Sequence, residues 1–298
     1  MLPTLRQLQY LKLLVEHGGF GKAAEAAHVT QPTLSAGIQE LEKILGAPVV
    51  DRARSGLILT DVGEAALAKA QVILNEADEL VQAARSAGQP LTGRFRLGVI
   101  PTIAPFLLPR ALPLLRSRFP GLRLYLREDL TQRLIAALKS GHLDAALIAL
   151  PFDMTGLDSA HVAHDEILAA LPASHPLAGQ ARTRPSELED GDLILLEDGH
   201  CLRDHALAAC GLRPPRQSDS EATFAATSLP TLVQMVGSGL GVTFLPSMAV
   251  AAGLTEGTSI EVRPLQAEDP TREIVVAWRS GSIRGVEGRL LAETLREA

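Results

Sequence analysis

The two cysteines of this chain, Cys201 and Cys210, carry its most distinctive chemistry, because a thiol can act as a nucleophile or a metal ligand. A thiol reacts as its thiolate, and nearby cations lower its pKa. No charged residue lies within two positions of Cys210, whereas three candidate cations stand close to Cys201: His200, Arg203 and His205. This asymmetry predicts that Cys201 is the more reactive of the two thiols.

Two other interpretations of the cysteines remain open. Free cysteines are most often small buried hydrophobic residues. A metal site is less favoured, because neither a CxxC nor an HxxxH pair accompanies the four potential ligands, His200, Cys201, His205 and Cys210. The sequence therefore predicts no metal and no cofactor.

Length and composition are typical of a soluble protein with two domains. The chain has 298 residues, of which 46% are hydrophobic and 21% are charged. Its formal net charge is −6, so any surface that binds DNA must be local. We find no signal-peptide pattern and no stretch that could form a membrane helix. We therefore expect a cytoplasmic protein, in which a disulfide would be transient and regulatory.

The first sixty residues show the pattern of short helices joined by tight turns. Thr30 is a suitable N-cap for a helix that has Pro32 in its first turn and extends to about Leu45. Short polar side chains near its start could reach base edges, and arginines between two following short strands could contact phosphate or the minor groove. The candidates are Gln31, Thr33 and Ser35 on the helix, and Arg52 and Arg54 on the wing. A plain helical hairpin with a polar face is the alternative.

Residues 61–92 predict a long helix followed by a hinge. Asp61 is the predicted N-cap, with Glu64 three residues later as in a capping box. The small or apolar positions alternate in spacings of 3 and 4, as in a coiled-coil seam: Leu67, Ala70, Leu74, Ala77, Val81 and Ala84. About 26 residues would span roughly 39 Å. We predict that this helix pairs with a second copy of the chain.

The rest of the chain alternates between strand and helix patterns. Predicted strands fall at residues 95–99, 122–127, 143–150, 167–173, 193–197, 242–245 and 274–278. Alternation of this kind favours open, mostly parallel α/β sheets, whose ligand sites lie beyond the carboxyl ends of the strands. Thr102 and Thr131 follow the first two of these strands and could also serve simply as helix N-caps.

Several motifs resemble those of the LysR-type family of bacterial transcription regulators. They are AAEAA at residues 23–27, TQPTLS at 30–35, GSGLGV at 237–242 and Leu245-Pro246. The resemblance covers nearly the whole chain. It implies an N-terminal all-α winged helix-turn-helix domain at residues 1–60 and a long linker helix with its hinge at residues 61–92. It also implies a C-terminal α/β effector domain at residues 93–298, whose two subdomains resemble periplasmic binding proteins.

Residues 196–207 (LEDGHCLRDHAL), together with Cys210, are similar to the redox loop of peroxide-sensing members of this family. The resemblance implies that hydrogen peroxide oxidises Cys201 to a sulfenic acid and that Cys210 resolves it to a disulfide. The side chains implied to hold the peroxide or support the thiolate are Thr102, Thr131, His200, Arg203, Asp204 and Arg272. The implied partners are promoter DNA, RNA polymerase and further copies of the chain in a dimer or tetramer. The implied targets are oxidative-stress genes.

The spacing of the two cysteines predicts that a disulfide between them requires a change of structure. If residues 201–210 are mainly helical, nine residues separate the two Cα atoms by up to roughly 13 Å. A disulfide needs Cα atoms within roughly 7 Å. The segment must therefore unfold locally and repack when it is oxidised, as a two-state switch would.

Two other classes of function remain. A LysR-type regulator could instead bind a small metabolite between its effector subdomains. An enzyme or a solute-binding protein with a two-lobed α/β fold is less favoured. We find no export signal, nucleophile elbow or phosphate loop, and residues 237–239 lead from a helix into a strand, the reverse of a dinucleotide fingerprint. The sequence therefore predicts a regulator and not an enzyme.

Overall fold

The computed structural model describes residues 1–51, 57–85, 88–188, 193–211 and 225–298. They divide into two units, one made of residues 1–88 with 139–142, and the other of residues 89–138 with 143–298. Within these ranges, no helix is both long enough and apolar enough to cross a membrane.

The first unit is mainly helical. Its elements are α1 (Leu5–His17), α2 (Phe20–Ala26), α3 (Gln31–Leu45), β1 (Val50–Asp51), β2 (Ile58–Leu59) and α4 (Asp61–Arg85). Leu11, Leu14 and Leu34 are fully buried where α1 and α3 pack together. Gly37 allows this close packing, because a Cβ at that position would lie 2.6 Å from the Tyr10 ring.

The caps of this unit confirm one sequence prediction and correct another. Thr30 caps α3 as predicted, accepting a hydrogen bond from the Thr33 backbone N–H at 3.4 Å. Asp61 is not the N-cap of α4 but its first residue, since the Thr60 hydroxyl accepts from the Gly63 N–H at 3.0 Å. Asp61 and Glu64 instead place negative charge in the first turn, where the helix dipole favours it.

The predicted seam of α4 has two different environments. Leu67, Ala70 and Leu74 pack against the core of their own unit, and Ala70 is almost fully buried. Further along the helix, Val81 is 43% exposed. The first half of the stripe is thus partly covered by the chain's own unit, including α1, and its pairing with a second chain stays a prediction.

The second unit contains the remaining described elements. They are β3 (Gly93–Val99), α5 (Ala104–Arg118), β4 (Leu122–Glu128), α6 (Thr131–Lys139), β5 (Ala145–Leu150), β6 (Leu157–Pro172), β7 (Leu195–Leu196), α7 (Cys201–Cys210), β8 (Ala225–Ala226), α8 (Leu229–Gly237), β9 (Thr243–Pro246), α9 (Ser247–Ala251), β10 (Ile260–Pro264), β11 (Thr271–Arg279) and α10 (Gly285–Arg296).

The sheet of this unit is mixed, which corrects the expectation of mostly parallel sheets. Its strand order is β10-β6-β11-β5-β3-β4, with β9 also paired to β6. Only β3 pairs in parallel within it, with β4 and β5, whereas β6 and β11 are antiparallel to their neighbours. The sequence pattern misses the first half of β6 because that half is only partly buried and lacks an apolar run.

Two apolar cores share this sheet, as the two-subdomain effector fold requires. The first core lies around β3, β5 and β11 and is covered by α5, α6 and α10. The second lies around the end of β6, β7 and β9 and is covered by α7 and α8. The long antiparallel strands β6 and β11 join the two subdomains, so residues on these strands can contact both cores.

Candidate functional site

Helix α7 has one cysteine at each end. Cys201 is its first residue, Cys210 is its last, and both are free. Gly211 ends the helix in the left-handed conformation, with φ at 63°. The ten helical residues separate the two Cα atoms by roughly 13 Å, which is too far for a disulfide in this conformation. The helical prediction for this segment is confirmed.

Cys201 lies in a small pocket where three segments of the chain meet. The pocket is formed by residues 100–102 after β3, Leu130 and Thr131 at the start of α6, and Gly199 and His200 before α7. These residues pack closely and leave no room for a water molecule, so a peroxide can enter only when their side chains shift. The fold thus brings Thr102, Thr131 and His200 together around the Cys201 side chain, all of them buried.

The Arg272 guanidinium closes one side of this region. Its Nη1 donates to Thr102 Oγ1 at 2.8 Å, and its Nη2 donates to the Thr102 carbonyl oxygen at 3.1 Å. Its Nε and Nη2 donate to Asp165 Oδ2 at 3.0 and 2.8 Å. Arg272 is 1% exposed and lies on β11, a central strand and not an edge strand, so its charge is held inside the protein.

Burial raises the pKa of the Cys201 thiol above its ordinary value. The Thr131 hydroxyl and the Arg272 charge act in the opposite direction, as does the backbone N–H of Cys201, whereas the Asp204 charge raises the pKa further. Thr131 Oγ1 is itself buried without a hydrogen bond of ordinary geometry to a described residue. The sulfur is therefore a thiol at neutral pH, next to groups that stabilise the thiolate when the proton leaves.

The cation that acts on Cys201 is not one of its sequence neighbours. Burial lowers the pKa of His200 below its ordinary value, against the opposing charge of Glu197, so the ring is neutral near pH 7. His205 is also buried, and its Nε2 hydrogen-bonds the Pro151 carbonyl oxygen at 3.1 Å. Burial, with a contribution from Arg272, lowers the pKa of His205. The expectation that neighbouring histidines supply positive charge to the thiol is wrong.

Two other predicted residues do not face the thiol as expected. Arg203 forms an ion pair with the exposed carboxylate of Asp198 and does not contribute to the pKa of Cys201. Asp204 is exposed on α7, and its charge opposes the thiolate. Helical geometry explains the difference, because Arg203, two places after Cys201, lies on the opposite side of α7, whereas Asp204, three places on, lies near enough for its charge to act on the sulfur.

Cys210 has a different environment. It is half-buried against the second core, and burial raises the pKa of its thiol to about 11. No charged group lowers this pKa. Cys210 borders an open groove that is also lined by Arg184, Ser186 and Glu268. In this conformation Cys210 therefore lacks the neighbouring hydroxyl and positive charge that favour a thiolate at Cys201.

Sequence reasoning missed Asp165, which anchors Arg272. The register of β6 and β11 places the two residues directly opposite each other. Asp165 lies two residues before the predicted strand at 167–173, and nothing local marks it as part of a site. A buried arginine requires a counter-ion, and that requirement is the one signal that could have prompted a search for an acidic partner.

The DNA-contact candidates lie at the start of α3. Gln31 and Thr33 are exposed, whereas Ser35 is half-buried and less accessible. The Thr33 hydroxyl shares a hydrogen bond of 2.8 Å with the Thr30 hydroxyl. Arg52 and Arg54 lie outside the described residues. Among the described residues, no group of three or more histidine, cysteine or acidic side chains is arranged to hold a metal ion.

Two family models match the chain. Residues 5–64 match the bacterial regulatory helix-turn-helix protein of the lysR family, and residues 88–298 match the LysR substrate binding domain.

The relatives that the chain resembles include an EstR regulator and a hydrogen peroxide-inducible genes activator. It is 43% identical over 249 residues to the HTH-type transcriptional regulator EstR of Acinetobacter baylyi, covering 84% of this chain and 81% of EstR. It is 36% identical over 294 residues to the hydrogen peroxide-inducible genes activator of Pectobacterium carotovorum, covering 99% and 96% of the two chains.

Solved structures of OxyR resemble the whole chain. A full-length OxyR variant from Pseudomonas aeruginosa has a TM-score of 0.80 at 37% identity, covering 99% of this chain and 95% of that chain. A cysteine-substituted OxyR from Corynebacterium glutamicum with hydrogen peroxide bound has a TM-score of 0.66 at 32% identity, covering 100% and 92%.

Proposed function

Since the chain belongs to the LysR family of bacterial DNA-binding transcription regulators, we propose that it senses hydrogen peroxide through Cys201 and Cys210. The observation that carries this proposal is the environment of Cys201. Two threonine hydroxyls and an imidazole line the same pocket as this thiol, and the Arg272 charge acts on it. Hydroxyl groups can both donate hydrogen bonds to a peroxide and accept them from it. The likeness to OxyR supports the same assignment.

The proposed chemistry has two steps. In the first, the Cys201 sulfur loses its proton and attacks one peroxide oxygen; the O–O bond breaks, and the other oxygen leaves as water after taking up that proton. The product is a sulfenic acid at Cys201. In the second, the Cys210 sulfur attacks the sulfenic sulfur, the hydroxyl leaves as water, and a disulfide forms. One peroxide is reduced to two waters while two thiols are oxidised to one disulfide.

The second step requires α7 to unwind. Cys201 belongs to the first core of the effector unit, whereas Leu202, Ala206 and Leu207 belong to the second. Bringing the two sulfurs together withdraws these side chains, and each buried leucine contributes about 1.5–3 kcal/mol of apolar burial. The oxidised form must therefore repack this segment. We propose that the two packings are the states that alter promoter activity, with oxidative-stress genes as targets and RNA polymerase as partner.

A peptide map of the full-length protein tests this proposal. After treatment with about one equivalent of peroxide, protease digestion without reductant should yield a peptide pair linked through Cys201 and Cys210. The untreated protein and a Cys210→Ser variant are the controls, and neither should yield the pair. Two free thiols after treatment would reject peroxide sensing and would favour the regulator that binds a metabolite.

We also propose that the start of α3 reads operator bases. Gln31 and Thr33 are exposed in its first turn, where a recognition helix enters the major groove, and Ser35 takes a lesser part because it is half-buried. Arg52 and Arg54 are proposed to contact the DNA backbone or minor groove from the wing. A gel-shift titration against operator and random DNA tests the two groups. Loss of Arg52 should weaken both complexes alike, and an effect on the operator alone would contradict the phosphate role.

We propose that the second half of α4 joins two copies of the chain. Val81 is exposed there and belongs to the predicted seam. Val81→Asp should place an unpaired charge in the contact and lower the assembly mass in sedimentation. Leu2→Asp, at a leucine that is 86% exposed outside α4, is the control and should leave that mass unchanged. An unchanged mass for the Val81 variant would contradict the proposed contact.

A further inference from the structure

Asp165 is a buried carboxylate that is fully engaged by hydrogen bonds. It lies on β6 and is 2% exposed. Its Oδ2 accepts from Arg272 Nε and Nη2, and its Oδ1 accepts from the Ser247 hydroxyl and the Met248 N–H, both at 2.9 Å. The carboxylate therefore connects the Arg272 side chain to the start of α9.

Arg272 lies between Asp165 and the thiol pocket. On one side it donates to Asp165, and on the other it donates to Thr102, which lines the pocket with Cys201. Its positive charge also acts on the Cys201 sulfur. A guanidinium cannot lose its proton in a protein, so this buried cation always needs a negative partner. Two negative groups can balance it: the Asp165 carboxylate, to which it is hydrogen-bonded, and the thiolate that forms when Cys201 ionises.

The other groups around the sulfur do not supply the missing charge. Thr131, from α6, offers a neutral hydroxyl, and His200 is held neutral by burial. Asp204, from the same helix, opposes the thiolate, and His205 is also held neutral. Among the described residues, Arg272 is therefore the cation that favours the Cys201 thiolate, and a carboxylate at 2.8 Å already neutralises much of its field.

We propose that Asp165 is a positioning residue that competes with the Cys201 thiolate for Arg272, and so keeps the sulfur protonated in the resting protein. The inference rests on the proposed role of Cys201 as the reacting thiol and extends it. Asp165 fixes the guanidinium against Thr102 while limiting its attraction for the thiolate. This restraint sets the oxidant level at which Cys201 begins to react.

The thiolate titration of Cys201 tests this competition directly. In full-length protein carrying Cys210→Ser, the ultraviolet absorbance of the thiolate is followed against pH, so that only Cys201 is observed. Asp165→Asn should lower the pKa of Cys201 by about one unit, giving about tenfold more thiolate near neutral pH. The oxidation of Cys201 by peroxide in this variant should accelerate by a similar factor. Ser247→Ala removes one bond to the same carboxylate but keeps the charge, so its titration should match that of the parent.

A second set of variants, which lacks the Arg272 charge, separates competition for that charge from simple loosening of the pocket. With Arg272→Gln present, Asp165→Asn should no longer lower the pKa of Cys201. A fall that persists without Arg272 would overturn the proposal, because it would mean that the substitution merely admits water. The proposal would also be overturned if Asp165→Asn alone left the pKa of Cys201 the same as in the parent protein.

One further variant keeps the test decisive. If Asp165→Asn does not fold, Arg272→Lys takes its place: a lysine keeps the charge but cannot bridge Asp165 and Thr102, so the pKa of Cys201 should rise as the ammonium follows the carboxylate. An unchanged pKa in that variant would refute the competition. Because the titration uses no peroxide, it remains informative even if the wild type forms no disulfide, an outcome that would refute only the proposed sensing function.

Discussion

The start of α3 and the thiol pocket use small polar side chains in opposite ways. On α3, Gln31 and Thr33 are exposed and neighbours in the sequence. In the pocket, Thr102, Thr131 and His200 are buried and come from three distant parts of the chain. An exposed polar surface recognises a partner by its hydrogen bonds, whereas a buried group changes the energy of a charge beside it. The two regions should therefore respond differently to substitution.

The largest effect should follow removal of the reacting sulfur. Cys201→Ser keeps the size of the side chain but removes the nucleophile, so the protein should stay in its reduced conformation at every peroxide dose. Cys210→Ser should still form a sulfenic acid at Cys201, detectable with a dimedone-type trap, but should form no intramolecular disulfide.

Mass spectrometry of the trapped proteins checks these two outcomes. If Cys201→Ser still forms sulfenic acid while Cys210→Ser does not, the roles of the two cysteines are reversed, and the groups around Cys201 do not determine which thiol reacts.

A smaller loss of function is expected at the exposed start of α3. Thr33→Ala should weaken operator binding by about 1–3 kcal/mol and change binding to random DNA little, because a base contact carries the sequence information. Its thermal stability should stay close to that of the wild type. Thr30→Ala is the matched comparison: it removes the cap of the same helix and should cost about 1 kcal/mol of folding stability. Equal affinity of wild type and Thr33→Ala for the operator would contradict the base contact.

Thr131→Val, in the buried pocket, should slow the reaction of Cys201 without lowering stability. The hydroxyl helps to lower the pKa of Cys201, so peroxide oxidation should slow by about tenfold, or about 1.4 kcal/mol. Stability should not fall, because this buried hydroxyl has no ordinary hydrogen bond to a described residue and a methyl group of the same shape costs nothing to bury. Thr131→Ser, which retains the hydroxyl, should keep most of the rate.

Stopped-flow oxidation in the Cys210→Ser background measures both Thr131 variants. If valine and serine give equal rates at position 131, the hydroxyl has no part in the reaction.

The sequence predicts the helix of the first region better than the pocket of the second, for a physical reason. The N-cap at Thr30 and the apolar spacing that follows are local, so they can be read along the chain. The cation beside Cys201 is not local, since Arg272 reaches the pocket only through the pairing of β11. Looking for charge next to the cysteine in the sequence therefore selected His200 and Arg203, and burial or an ion pair removes both from that role.

The same distinction explains the errors in the fold. The helix over residues 201–210 is predicted correctly because its signal is local. The antiparallel course of β6 and β11 is not, because strand direction depends on partners elsewhere in the chain. The first half of the α4 seam also has the spacing of an intermolecular contact, and only the fold shows that it packs against the core of its own unit. Spacing identifies an apolar face but does not identify what packs on it.

The smallest expected effect concerns His205, a buried residue on the same helix as Cys201. Burial lowers its pKa, so the folded protein holds it neutral while the unfolded chain takes up a proton at a higher pH. The unfolded state then binds more protons, and the stability present above the ordinary histidine pKa is lost as pH falls through the lowered folded pKa. His205→Gln can still donate to the Pro151 carbonyl but does not titrate. Its melting temperature should therefore fall less than that of the wild type between about pH 7 and about pH 5, with His200 accounting for part of the remaining fall. Thr33→Ala, at an exposed site without a titrating group, should retain the full wild-type dependence. An equal fall in His205→Gln and wild type would mean that burial of this ring does not contribute to the acid sensitivity of the effector unit.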